Sequence, residues 1–203
     1  MPQVRMTLPL TLILLLLIAG DAHAATRVWG FYGWGDNLWG TSSGVDDIAE
    51  GARRLPHVVS VRVLRYWETQ RAADEIMAAP RGDRIVLYGY SCGANAVTTI
   101  GFGLNGHRHV TLAGIQPSIW CGGHGITPNV PYAQQEYAGC VITFGFGCRR
   151  WHPVVGNAVS EVIRIRRPSL HWAADTDPRA QADVLKVIAH EPPHRAQDIE
   201  IVR

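Results

Sequence analysis

Gly89-Tyr90-Ser91-Cys92-Gly93 is the stretch of this chain in which residue types and spacing point most sharply to chemistry. A serine hydroxyl is a weak nucleophile until a turn presents it and a neighbouring base takes its proton. The surroundings of Ser91 supply such a turn. Arg84 to Tyr88 reads as a buried strand before it, Ala94 to Leu104 reads as helix after it, and the flanking glycines let strand and helix approach without side-chain collision. Ser91 Oγ then stands over the carboxyl edge of a sheet, and the positive end of the following helix lies beneath any oxyanion formed there. A plain structural turn is the competing reading.

A nucleophile needs a base, and there are nine histidines to sort. His23 lies in an N-terminal apolar segment. His57 precedes the second strand, and His107 and His109 precede the fourth, which puts all three at the amino edge of a parallel sheet. His190 and His194 follow the final helix. His124, His152 and His171 remain.

The elements that must position these groups alternate between strand and helix. Thr26 to Tyr32 is a first strand ending in the Gly-rich turn Gly30 to Gly35. Ser43 caps a helix on which Val45, Ile48, Ala49, Ala52 and Leu55 recur at helical spacing. Val58 to Leu64 is a second strand, Glu68 to Ala79 a helix stopped by Pro80, and Val110 to Ile115 a fourth strand. Ser118 to Asn157 is rich in Gly, Pro, Trp and Cys, with a strand expected at Val141 to Phe146. Val159 to Ile165 closes the sheet and Pro178 to Ala189 the helices. The pattern predicts an α/β fold, a three-layer α/β/α sandwich with a mostly parallel sheet.

Both ends of the chain read differently from its middle. Arg5, the apolar run Leu8 to Ile18 and Ala22-His23-Ala24 predict a cleaved signal peptide over 1–24, hence a periplasmic or secreted protein. Without it, 179 of the 203 residues remain, enough for one domain over 25–190 with a loose tail over 191–203. The formal net charge is only +2 and the cations are dispersed, which argues against a nucleic-acid partner. The nearest basic cluster, Arg164-Ile165-Arg166-Arg167, is expected on the solvated face of an edge strand. No second apolar run approaches membrane-spanning length, so no membrane partner is expected after cleavage, and the domain is expected to be a monomer.

With the elbow at 89–93, the Gly-rich turn after the first strand and a histidine before the last helix, the chain resembles the α/β-hydrolase superfamily. The likeness is to its compact, lidless members such as cutinases and small serine esterases, and in element order it spans most of residues 26–190. The resemblance implies that Ser91 is the nucleophile and His171, after the last strand, its base. It implies one oxyanion donor in the backbone N–H of Cys92 and a second in the turn after the first strand, at Phe31 or Tyr32; the alternative for that turn is a corner packed on aromatic neighbours. The acid departs from the superfamily's pattern. Between Gln116 and His171 the carboxylates are Glu136 and Glu161, and the turn after the fourth strand holds Gln116-Pro117, where Gln116 lacks the charge that stabilises an imidazolium. Asp175 is expected either to fold back on His171 or to cap the last helix with Asp177; otherwise a backbone carbonyl or a neutral side chain is the third member.

Export permits disulfides. Cys92 is expected buried in the elbow, with a bond between Cys140 and Cys148, or between Cys121 and either. The rival for the same segment is zinc on Cys121/His124 and Cys148/His152, whose mixed spacings are a weak signal. Trp34, Trp39, Trp120, Trp151 and Trp172 fall in loops after strands; with Tyr90, the residues Trp34, Trp120 and Trp172 are candidates for substrate binding, against a role in packing. The function expected is an exported serine hydrolase acting on a small-molecule ester or thioester without a cofactor. The alternatives are a non-catalytic binding domain on the same scaffold, a zinc-stabilised segment in a binding protein, or peptidase or transacylase chemistry at the same serine.

Overall fold

The computed structural model describes residues 25–35, 44–137, 149–154, 161–166, 170–190 and, as backbone, 199–202. The expected signal peptide, Trp39, Cys140, Cys148 and the strand expected at Val141 to Phe146 lie outside them.

Among the described residues, six parallel strands are ordered β2-β1-β3-β4-β5-β6. They are β1 (Thr26–Tyr32), β2 (Val58–Arg65), β3 (Arg84–Tyr90), β4 (Thr111–Ile115), β5 (Tyr132–Tyr137) and β6 (Glu161–Arg166). A short β7 (Ile199–Val202) pairs antiparallel with β6. Helices α1 (Gly44–Arg53), α2 (Thr69–Ala78), α3 (Cys92–Gly103) and α4 (Pro178–Ala189) cover both faces, giving a three-layer α/β/α sandwich.

The alternation of side chains along β3 builds both cores. Ile85 and Leu87 face α2 and α3 in one apolar cluster, whereas Val86, Tyr88 and Tyr90 face α1 and α4 in the other. The chain leaves β1 through α1 to reach β2 on one side, then returns past β1 through α2 to reach β3 on the other. Right-handed crossovers in opposite directions put their helices on opposite faces, which makes the carboxyl ends of β1 and β3 the switch point of the sheet.

Three expectations need correction. Tyr132–Tyr137 is a strand that its polar sequence concealed: Gln134, Gln135 and Glu136 are all buried. Gln135 is stable there because its amide serves a neighbouring backbone, donating to Arg149 O at 2.5 Å and accepting from Trp151 N at 2.6 Å. Arg164 is not on a solvated face. It lies beside Gln135 in register, is buried, and donates to Trp151 O through Nε and Nη2, while Arg166 is exposed. Finally, the tail is not loose throughout: Ile-Glu-Ile-Val at 199–202 is a β-prone quartet, and it pairs with the outer edge of β6.

Candidate active site

Ser91 sits at the tight junction of β3 and α3 with φ 54° and ψ −118°, a backbone conformation that L-residues seldom adopt. Hydrogen bonds on both sides hold it. Its N–H donates to Ile115 O of β4 at 2.9 Å, and its carbonyl accepts from Asn95 N at 3.3 Å. The glycines flanking the elbow are sterically required. A Cβ on Gly89 would collide with the Gly93 carbonyl, and one on Gly93 with the Phe31 carbonyl at the end of β1. α3 therefore begins hard against the Gly-rich end of β1, as the elbow reading expects.

His171 opens a short 3₁₀ turn, His171–Ala173, and its Nε2 lies 2.9 Å from Ser91 Oγ. Its Nδ1 lies 3.2 Å from Gln116 Oε1. An amide oxygen only accepts, so with Gln116 Oε1 facing Nδ1 the ring proton sits on Nδ1, which leaves the Nε2 lone pair towards the Ser91 hydroxyl. The ring is buried, and burial pushes its pKa down to about 4, so the imidazole is neutral across the physiological range. Tyr90, one residue before the nucleophile, donates its hydroxyl to the His171 carbonyl at 2.5 Å and packs its ring 5.2 Å from the imidazole. Tyr90 is only 4% exposed and its hydroxyl is engaged, so it packs beside the imidazole and not on an open face.

Gln116 is the residue that sequence reasoning set aside for want of charge. It follows β4 directly, is 1% exposed, has φ 45°, and is held by its N–H on Glu136 O at 2.7 Å. Asp175 goes elsewhere. The 3₁₀ turn carries the chain past the imidazole to the start of α1, where a Cβ on Gly44 would collide with the Asp175 backbone and meet its carboxylate. The Asp175 carboxylate is fully buried beside the first residue of α1, the end of a helix that favours negative charge. Asp177 caps α4 by accepting from Arg179 N at 2.9 Å.

Of the other two histidines, His124 stacks on Phe102 with centroids 4.3 Å apart, and His152 is exposed with Nδ1 near Arg150 O. Cys121 pairs with Cys92, not with Cys140 or Cys148, because the loop after β4 folds over the start of α3. The sulfur that the zinc reading needs beside His124 is thereby consumed.

Cys92 is the first residue of α3, so its N–H points out of the helix end next to Ser91. Phe31 is paired with strands on both sides, whereas Tyr32 lies past the last β1–β3 pair, at the switch point of the sheet. Gly30 also packs as the alternative reading expected, since a Cβ there would collide with the Tyr88 ring. Trp34, Trp120 and Trp172 stand 67%, 68% and 59% exposed on the loops after β1, β4 and β6, so they are not core packing residues. Trp151, grouped with them in the sequence, is instead buried over Gly114, where a Cβ would collide with its indole.

Two further supporting residues carried no sequence signal beyond their place in the elbow's helix and its loop. Asn95 donates to Ser118 O at 2.8 Å and to Gly122 O, and accepts from Ser118 N at 2.8 Å. Thr98 Oγ1 accepts from His124 N at 3.1 Å. Compared with protein-family models and with curated proteins, the chain matches none, and the functional reading rests on the site itself.

Proposed function

We propose that the chain is a serine hydrolase that cleaves carboxylic esters or thioesters through an acyl-enzyme on Ser91, on a compact α/β-hydrolase-type scaffold without a lid. The observation that carries this reading is the 2.9 Å approach of His171 Nε2 to Ser91 Oγ at a strained strand-to-helix turn. His171 takes the hydroxyl proton as Oγ attacks the carbonyl carbon. The oxyanion faces the Cys92 N–H at the positive end of α3, with a second N–H from the turn after β1. The imidazolium returns its proton to the departing alcohol or thiol, and a water deprotonated by the same ring releases the acid.

Gln116 fills the acid's place with a neutral acceptor. It orients the imidazole and fixes its tautomer, which is much of an acid's contribution, but it adds no charge to stabilise the imidazolium. Turnover is accordingly slower than a carboxylate at the same distance would support. Trp34, Trp120 and Trp172 offer an open apolar rim, suited to small or surface-accessible esters. A disulfide at the elbow fits an oxidising compartment, in keeping with the exported location read from the N-terminal segment.

Labelling with a fluorophosphonate probe tests the proposal: wild type labels and Ser91→Ala does not. The neutral Gln116 favours one second reading, a binding domain that keeps the hydrolase scaffold without turnover. Hydrolysis of p-nitrophenyl acetate and butyrate separates the two, since a binding domain leaves both esters intact.

A further inference from the structure

The segment 116–121 joins the two halves of the candidate site. At one end, Gln116 holds Nδ1 of His171. At the other, Cys121 is bonded through its sulfur to Cys92, the residue whose N–H stands beside the nucleophile. Between them, Ser118 is fixed at both its N–H and its carbonyl by the one buried side chain of Asn95, which also reaches Gly122. Asn95 lies on the first turn of α3, so disulfide and amide bind the loop to the same short stretch of helix that carries the oxyanion donor. The apolar pair Ile119 and Trp120, both exposed, is projected from the middle of this clamped segment.

We propose that the Cys92–Cys121 disulfide and Asn95 are positioning groups that set the catalytic geometry through segment 116–121, touching neither substrate nor the reacting atoms. The inference rests on the hydrolase reading. Acyl transfer is sensitive to sub-ångström placement of its groups, so a loop released from α3 at its Cys121 end or at Ser118 slows acylation in a protein that remains folded. Cys92 is buried but Cys121 is partly exposed, which gives a small dithiol a route to the bond. The exchange is balanced: the dithiol loses two electrons and two protons and closes to its cyclic disulfide, and Cys92 and Cys121 become two thiols.

The experiment measures the rate of fluorophosphonate labelling of the full chain, oxidised and after treatment with dithiothreitol, with thiols counted and folding followed by circular dichroism. The expected result is a labelling rate lower by roughly tenfold after reduction, recovered when the dithiol is removed and oxidised glutathione restores the bond. A Cys92→Ser/Cys121→Ser double variant is expected to start at the lower rate and to ignore the dithiol. Asn95→Asp, which keeps the acceptor for Ser118 N but loses the donor to Ser118 O and Gly122 O, is expected to lower kcat severalfold with KM within about twofold. A cross-link serving stability alone would move the melting temperature and leave these rates unchanged. Fully reduced, folded protein that labels as fast as the oxidised form would overturn the inference while leaving the hydrolase reading intact, as would a double variant as dithiol-sensitive as wild type. Oxidised wild type that never labels would sink the hydrolase reading itself, and this inference with it.

Discussion

Replacing Gln116 by Glu puts a carboxylate where a neutral amide now faces the His171 imidazole. The oxygen at this position lies 3.2 Å from His171 Nδ1. At an effective dielectric of about 20, a unit negative charge there attracts the imidazolium by about 5 kcal/mol, before the cost of burying the carboxylate is subtracted. What survives that cost in comparable pairs is a shift of roughly 1–3 pKa units. His171, pushed down to about 4 by burial, should therefore rise into the range of roughly 5–7 in Gln116→Glu. Two consequences oppose each other in a pH profile. The proposed acyl transfer requires the neutral imidazole, so the acid limb of kcat/KM for p-nitrophenyl butyrate moves to higher pH by the same amount. Above that limb kcat rises by about tenfold for each unit gained, because the imidazolium formed in the transition state is now charge-stabilised. The His171 Cε1–H resonance in an NMR titration reads the pKa directly. An acid limb and a resonance that stay where wild type has them, in a variant with unchanged circular dichroism, would refute the assignment of Gln116 as the partner of the base.

Tyr90→Phe removes the hydroxyl that donates to the His171 carbonyl, which keeps its bond from Ala174 N at 3.2 Å, so about 1 kcal/mol of stability is expected to be lost, with kcat reduced more than KM is raised; thermal unfolding and steady-state kinetics check it, and an unchanged kcat would speak against support of His171 from the elbow. His171 also makes stability depend on acidity. Its folded pKa is depressed from 6.5 to about 4, so the unfolded chain takes the proton first as pH falls; the stabilisation is whole above about 6.5 and drains away towards about 4. Urea denaturation at pH 7.5 and 4.5 should show wild type losing about 2 kcal/mol more than His171→Gln over that interval, and equal losses would contradict the burial argument.

The fold was legible where burial on both faces leaves its mark in composition. β1, β3 and β4 are runs of apolar residues because helices cover both sides of them, and the glycines of the elbow stand where Gly89 and Gly93 have no room for a side chain. Legibility failed where polar groups are buried in pairs. Gln135 and Arg164 look like surface residues until the backbone of Arg149 and Trp151, distant from β5 in sequence, comes to lie against them. Gln116 was overlooked for a related reason: orientation of an imidazole needs an acceptor at the right place, and residue type reports charge, not place. The pairing of Cys92 with Cys121 likewise depends on how the loop after β4 folds back, which spacing does not encode. His171 was recoverable because only one of the three histidines left by sheet polarity follows the last parallel strand and precedes the closing helix.

The proposed hydrolase stands on Ser91 as a nucleophile activated by His171. Mass spectrometry of the full chain after reaction with a fluorophosphonate tests it most directly. One phosphonyl adduct on Ser91 in wild type, none in Ser91→Ala and a rate at least about a hundredfold lower in His171→Ala are expected; an unmodified wild type, or an adduct that persists in Ser91→Ala, would contradict the claim.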